Sequence, residues 1–269
     1  MSLLMKAAKS LIPEQMYDVL RRARQNRMTR TFKSYEARHR FSGRELSVYI
    51  ADPVAVEWYD HSDDENREID FFRRFDLQGG TIFDLGAHQC VVAMLLSDFV
   101  GDDGRVIAVE ANKHNYEVSL RNLALNDKHN VTCLNGLVSS GRMQVSIDGG
   151  LNGRARATSG ISDTPVLTID QMTESYGAPS LIVLDIEGHE IEALGSAIDT
   201  ISNTRAHWLI ELHGDELLGT YGHRSSDIFR FFNEKDFIFH VLVEGATEFT
   251  PLNRDNLPSV RCQLVFERR

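Results

Sequence analysis

From Thr81 onward, short apolar runs alternate with segments whose apolar residues recur at helical spacing. Thr81 to Leu85 reads as a strand, the Leu85-Gly86-Ala87 turn opens a helix, and Val106 to Val109 reads as a second strand stopping at Glu110. Asn112 to Asn126 is predicted as a helix with Tyr116, Leu120, Leu123 and Ala124 on its buried side, followed by a third strand at Val131 to Leu134. Met143 to Ile147 fits an added strand, and Gly149 to Thr164, rich in Gly, Ser and Arg, fits a long loop. Ser180 to Leu184 and Trp208 to Leu212 give the fourth and fifth strands. A helix capped by Ser225 or Ser226 runs through Phe231 and Phe232, and Phe237 to Val243 and Gln263 to Phe266 complete the series. This alternation predicts an α/β fold, a doubly wound, mostly parallel seven-stranded sheet of Rossmann-like type with its last strand antiparallel.

Upstream the pattern changes. Met1 to about Arg40 reads as two short helices, with Pro13 in the first turn of the second and Met16, Val19, Leu20 and Ala23 along one side. Leu46 to Ala51 alternates like a strand, and HSDDENREIDFFRRF starts a helix with Ser62 as N-cap and Glu65 completing a capping box. Phe71, Phe72 and Phe75 form an apolar face expected to pack near the first core strand. Residues 1–78 are thus expected to form a helical arm and cover segment, and 79–269 the cofactor-binding domain.

Composition narrows the function classes. The chain has 269 residues and a net charge of -10, which argues against a general nucleic-acid binder. Through Arg44, however, eleven Lys and Arg face only Glu14, Asp18 and Glu36. That basic arm is expected either to pack on the domain with its arginines solvated or to touch anionic lipid or a lipid-linked glycan. The three cysteines form no CxxC pattern, no apolar run is long enough to span a membrane, and the N-terminus is a poor signal peptide. A cytoplasmic protein is expected.

Asp84 and Glu110 end adjacent strands with a glycine turn between, so both carboxylates are expected at the rim where open parallel sheets bind ligands. A pyrophosphate needs several glycines and no repelling carboxylate, whereas the turn offers Gly86 beside Asp84. S-adenosyl-L-methionine carries no phosphate. Its ribose hydroxyls suit Glu110, and its amino group suits Asp84.

The segments FDLGAHQ (Phe83 to Gln89), VIAVEAN (Val106 to Asn112), NLALN (Asn122 to Asn126), VLTID (Val166 to Asp170), VLDIEGHE (Val183 to Glu190) and IELH (Ile210 to His213) resemble the FkbM family of class I S-adenosylmethionine-dependent methyltransferases. The resemblance spans about Thr81 to His213, and LDIEGHE narrows it beyond the generic fold. It implies O-methylation, often of a sugar hydroxyl or a polyketide-type alcohol, and a cofactor site at Asp84, Gly86, Ala87, His88, Glu110 and Asp185. The backbone of Ala111 and Asn112 is expected near the adenine, with Asn135 and Gly136 flanking it by position. Cys90 stands where such loops usually carry a second glycine. That departure keeps open a second reading, a catalytically inactive binding protein retaining the fold. A nicotinamide oxidoreductase is a third, and N-methylation also stays open.

For catalysis, an alcohol must lose its proton as it attacks the methyl group. His213 is the first candidate base and His189 the second. Asp185, Glu187 and Glu211 are expected to orient that base or to hold a divalent ion such as Mg2+. His88 is expected to hydrogen-bond within the cofactor turn. Tyr59, Asp60 and His61, the stretch Leu217 to Arg224, and Arg154 with Arg156 each read as substrate-side loop or as plain surface and connector.

Overall fold

A computed structural model describes residue 23 and residues 27–62, 67–141, 145–147, 155–157 and 164–269. The amphipathic stretch around Met16, Val19 and Leu20, the capping residue Glu65 and Arg154 lie outside the described residues.

After a helical turn at 27–31, the chain forms the hairpin β1 (Tyr35–Phe41) and β2 (Arg44–Ile50), turned through Ser42 and Gly43 at φ 47° and 77°. The expected second helix therefore gives way to a strand from Tyr35. Its alternating side chains pair with β2, whose Leu46, Val48 and Ile50 are buried. A short helix unforeseen from the pattern follows, α1 (Pro53–Tyr59), with Pro53 in its first turn and Asp52 Oδ1 accepting from the Val54 and Ala55 amides at 2.9 Å. Then come α2 (Arg67–Phe71), β3 (Thr81–Leu85), α3 (Val91–Val100), β4 (Arg105–Glu110), α4 (Lys113–Leu125), β5 (Val131–Asn135) and β6 (Leu137–Val138). Two short strands, β7 (Val145–Ile147) and β8 (Ala155–Ala157), pair antiparallel, so the expected added strand forms and part of the expected loop supplies its partner. The remainder is β9 (Val166–Leu167), α5 (Ile169–Tyr176), β10 (Leu181–Leu184), α6 (Glu190–Leu194), α7 (Ile198–Asn203), β11 (His207–Leu212), α8 (Gly214–Leu218), β12 (Phe237–Val243), β13 (Thr250–Pro251) and β14 (Cys262–Arg268). The helix expected after Ser225 is a 3-10 turn, Ser225–Arg230.

The main sheet runs β13-β12-β14-β11-β10-β3-β4-β5. The pairs between β11 and β5 are all parallel, and β14 is antiparallel to both neighbours. Seven strands match the expected doubly wound α/β sheet, and β13 adds a two-residue edge. Alternate side chains serve two cores: Phe83, Ile107, Ile182 and Trp208 on one face, Ile82, Val106, Leu181 and Leu209 on the other. Phe72 is fully buried in the second core, together with Ile82 of β3.

Helix α4 turns differently from expectation. Leu120 is 45% exposed and Ala124 is exposed, while Asn115, Ser119 and Asn122 are fully buried. The polar face has partners that periodicity cannot reveal. Asn122 accepts the Tyr49 amide at 2.7 Å and donates to Gln89 O at 2.9 Å, and Asn126 accepts the Ser47 amide at 2.9 Å and returns a bond to Ser47 O at 2.7 Å. Spaced four apart, these amides clasp the backbone of β2 to the sheet domain. Among the described residues no helix is long and apolar enough to cross a membrane.

Candidate active site

A cavity of about 860 Å³ opens beyond the carboxyl ends of β3, β4, β10 and β11. Asp84, Gly86, Ala87, His88 and Glu110 line it, as do Ala111, Gly136, Asp185, Glu187 and Glu211. Parallel strands of matched register deliver these residues together: Leu85 pairs with Val109 and with Leu184, so the tips of β3, β4 and β10 end level.

The turn after β3 is fixed by contact. Gly86 adopts φ 96°, and a Cβ there would lie 1.8 Å from Asp185 O, so only glycine lets the turn lie against the β10 tip. The Gly86 and Ala87 amides both donate to Val109 O, at 2.9 and 3.0 Å. His88 and Cys90 also have positive φ, 46° and 61°, a region costing a residue with a β-carbon about 1–2 kcal/mol. Cys90 is fully buried and off the cavity, and a hydrogen bond to Cys133 together with burial pushes its thiol well up. The residue that replaces the expected glycine thus faces the core and leaves the crevice open.

Asp84 is 3% exposed, and its Oδ2 has no hydrogen-bond partner. Burial lifts its pKa to about 7. Glu110 Oε1 accepts the Asn112 amide at 2.6 Å, and burial raises this carboxyl to about 8 against the pull of backbone hydrogen bonds from Asn112 and His88. Two buried carboxyls in the lining of one large cavity, one of them with an idle oxygen, fit a ligand that brings hydroxyl and ammonium donors. They fit a pyrophosphate poorly.

Two expected adenine-side residues do other work. Asn112 does not line the cavity; its side chain caps α4 by accepting the His114 and Asn115 amides. Asn135 donates to Glu110 O at 2.8 Å and Ala111 O at 3.3 Å, so it secures the β4 tip and leaves the wall to Gly136 and Leu137.

Beside the cofactor crevice stands a ring of acids. Asp185 follows β10, Glu187 occupies the turn at φ 57° with Gly188 at 94°, and Glu211 comes from β11. His213 lies behind this ring, 7% exposed and off the cavity lining, with Nε2 at 3.8, 3.7 and 3.5 Å from Asp185, Glu187 and Glu211. Its Nδ1 is 2.9 Å from Oε1 of the fully buried Glu190, which also accepts the Gly188 amide at 2.8 Å. Burial alone would lower the imidazole pKa. The hydrogen bond to Glu190 and the charges of Glu190, Asp185 and Glu211 outweigh it and lift the value to about 9. An imidazolium at neutral pH cannot accept a proton, so the first candidate base becomes a counter-charge. Although 43% of the Asp185 side chain is exposed, its enclosed setting and the charge of Glu211 raise its carboxyl above the usual carboxylate range, partly offset by His213. Arg261 pairs with Glu211 Oε1, and Gln263 Nε2 donates to Oε2 at 2.6 Å. Donor atoms of Asp185, Glu211 and His213 lie within 4.8 Å of one another, a spacing that could hold a metal ion.

His189, the second candidate base, is fully buried away from the cavity, with Nε2 3.2 Å from Ser139 Oγ and its ring against Tyr221. Burial lowers its pKa, and no acceptor alcohol can reach it. The stretch Leu217 to Arg224 does not line the cavity and acts as a connector, with Leu217 packed by Gly188. Tyr59 and His61 do line it, so the segment read as plausible surface forms a wall. Trp58, Arg261 and Gln263 were not foreseen there. The Asp52-Pro53 cap signal could have revealed α1, whereas Arg261 and Gln263 reach the site only because β14 inserts antiparallel beside β11.

The sequence profile of the methyltransferase FkbM domain matches residues 84–239. No curated protein matches the chain in sequence. Among solved structures, the methyltransferase FkbM from Methylobacillus flagellatus KT is similar at 20% identity over 72% of this chain and 44% of that one, with a TM-score of 0.46. The M. jannaschii TYW2 in complex with AdoMet is 13% identical over 88% of this chain and 89% of that one, TM-score 0.47. The precorrin-6y C5,15-methyltransferase from Geobacter metallireducens GS-15 is 11% identical over 77% and 88%, TM-score 0.46.

Proposed function

The chain belongs to the FkbM methyltransferase family, and from that premise we propose that it methylates a hydroxyl of a sugar, glycolipid or secondary metabolite by in-line transfer. The observation that carries the reading is the juxtaposition in the lining of one cavity of Asp84 and Glu110 with the acid ring of Asp185, Glu187 and Glu211. S-adenosylmethionine supplies an electrophilic methyl group on a sulfonium. Asp84 would take its ammonium group and Glu110 its ribose hydroxyls, leaving the acid ring to the acceptor.

In this reading Asp185 is the general base. Asp185, whose carboxylate the neighbouring His213 charge helps to keep ionised, would take the proton that the acceptor hydroxyl gives up as it is methylated. His213 stays protonated behind the ring and offsets its crowded negative charge. A solely negative site would resist taking up further negative character from the developing alkoxide. The imidazolium reduces that cost.

A divalent cation held by Asp185, Glu211 and His213 is the second reading, favoured by the close approach of their donor atoms. It requires His213 to give up its proton to become a ligand. The test is methyl transfer from S-[methyl-3H]adenosylmethionine to a panel of sugars, glycolipids, aromatic alcohols and amines, with EDTA or added Mg2+. Label on oxygen supports the proposal, and Asp185→Asn should then lower kcat by about 100-fold or more. Label found solely on amine acceptors would overturn it, and activity abolished by EDTA would favour the cation.

A further inference from the structure

We infer that Trp58 and Tyr59, at the end of α1, are cofactor-binding residues forming a cover that His88 clasps to the crevice. This rests on reading the crevice as the S-adenosylmethionine site. His88 holds a φ of 46°, a conformation glycine would adopt without strain, so its imidazole must be explained by what it touches. Its Nδ1 lies in hydrogen-bond contact with the Tyr59 hydroxyl at 2.8 Å, and its ring centroid lies 5.6 Å from that of Tyr59 and 4.9 Å from that of Trp58. Burial, with Cys90 and the neighbouring carboxylates, raises the Tyr59 pKa and keeps its hydroxyl protonated, so the phenol enters the hydrogen bond with His88 as a neutral group. The backbone of His88 is itself bound to the site: its amide faces the Glu110 carboxyl, and its carbonyl accepts Ser119 Oγ at 2.9 Å.

The other end of α1 is tied to the same turn. Buried Asp52, which caps α1 through Oδ1, accepts from Gln89 Nε2 at 2.9 Å through Oδ2, and His114 Nε2 of α4 lies 3.0 Å from that same oxygen. The short helix is therefore fastened fore and aft to the residues flanking Glu110. Trp58 nonetheless remains 40% exposed, on the wall of a cavity that Asp84, Glu110 and Asp185 also line. A partly exposed indole in that setting suits a ligand with a planar base and a cationic centre, by stacking or by cation–π attraction.

The chain has two tryptophans, and Trp208 is fully buried. An emission change on adding S-adenosylmethionine that vanishes in Trp58→Phe would therefore report contact at Trp58. Calorimetry on the same proteins gives the affinities, and circular dichroism verifies that each variant is folded. Trp58→Ala, Tyr59→Phe and His88→Gly should each raise Kd about three- to tenfold, the last despite a relaxed turn. A folded Trp58→Ala or Trp58→Phe protein binding like the wild type, with no Trp58 emission change in the wild type, would overturn the cover while leaving the cofactor reading intact. A wild-type protein that does not bind S-adenosylmethionine would overturn the cofactor reading itself.

Discussion

His213 Nδ1 lies 2.9 Å from Glu190 Oε1, and this contact sets the charge state of the acid ring. Glu190 is fully buried and spends its Oε1 on His213 and on the Gly188 amide, so the turn that carries Glu187 and the histidine from β11 are fixed by one carboxylate. The imidazolium is the price of gathering four acids within a few ångströms.

His213→Gln should therefore destabilise the protein in a pH-dependent way. The folded pKa of about 9 lies above the ordinary 6.5, so the contribution is fully present below about pH 6.5 and lost as pH rises through 9. It amounts to about 3 kcal/mol. Urea denaturation in EDTA at pH 6 and pH 9.5 checks this: a large wild-type advantage at the first pH should shrink strongly at the second.

Cofactor binding should release protons near neutrality. Asp84 at about 7 and Glu110 at about 8 are partly protonated in the free protein and must ionise to serve ammonium and hydroxyl donors. Their raised values also mean that the stability they contribute is greatest below the ordinary carboxylate pKa and declines as pH rises through 7 to 8. Titrations at pH 7 in buffers of different ionisation enthalpy should show net proton release, diminished in Glu110→Gln.

Gly86→Ala should be poorly tolerated. The added carbon meets Asp185 O at 1.8 Å in a backbone at φ 96°, so both the turn and the β10 tip must move. A loss of about 3 kcal/mol or more is expected, measured as a fall in melting temperature with loss of S-adenosylmethionine binding.

Asn122→Ala tests the clasp between α4 and β2. It leaves the Tyr49 amide and the Gln89 carbonyl without their partner and should cost about 2 kcal/mol. Thermal denaturation is the direct readout.

Most of the sheet could be read from apolar runs, because strands buried on both faces must be continuously apolar, as Ile82 to Leu85 and Leu181 to Leu184 are save for Asp84. The acids could be read too, since Asp84, Glu110, Asp185 and Glu211 follow or end strands whose tips share one rim. Local pattern failed where long-range partners decide. Periodicity puts Leu120 on the buried side, yet β2 offers a hydrogen bond 73 residues away that turns Asn122 inward and leaves Leu120 exposed. Tyr35 to Arg40 lacks a strong apolar face because only one side of the hairpin is covered. His213 shows a similar limit: residue type suggests a base, while the buried carboxylate 23 positions upstream raises its pKa and favours the imidazolium.

The central claim, that Asp84 and Glu110 make this crevice an S-adenosylmethionine site, is tested most directly by calorimetric titration of wild type and Glu110→Ala with S-adenosylmethionine and, separately, with NAD. Micromolar binding of S-adenosylmethionine alone, weakened at least about 30-fold in the variant, is the predicted result. Binding of NAD by the wild type, or equal affinity of both proteins for S-adenosylmethionine, would contradict it.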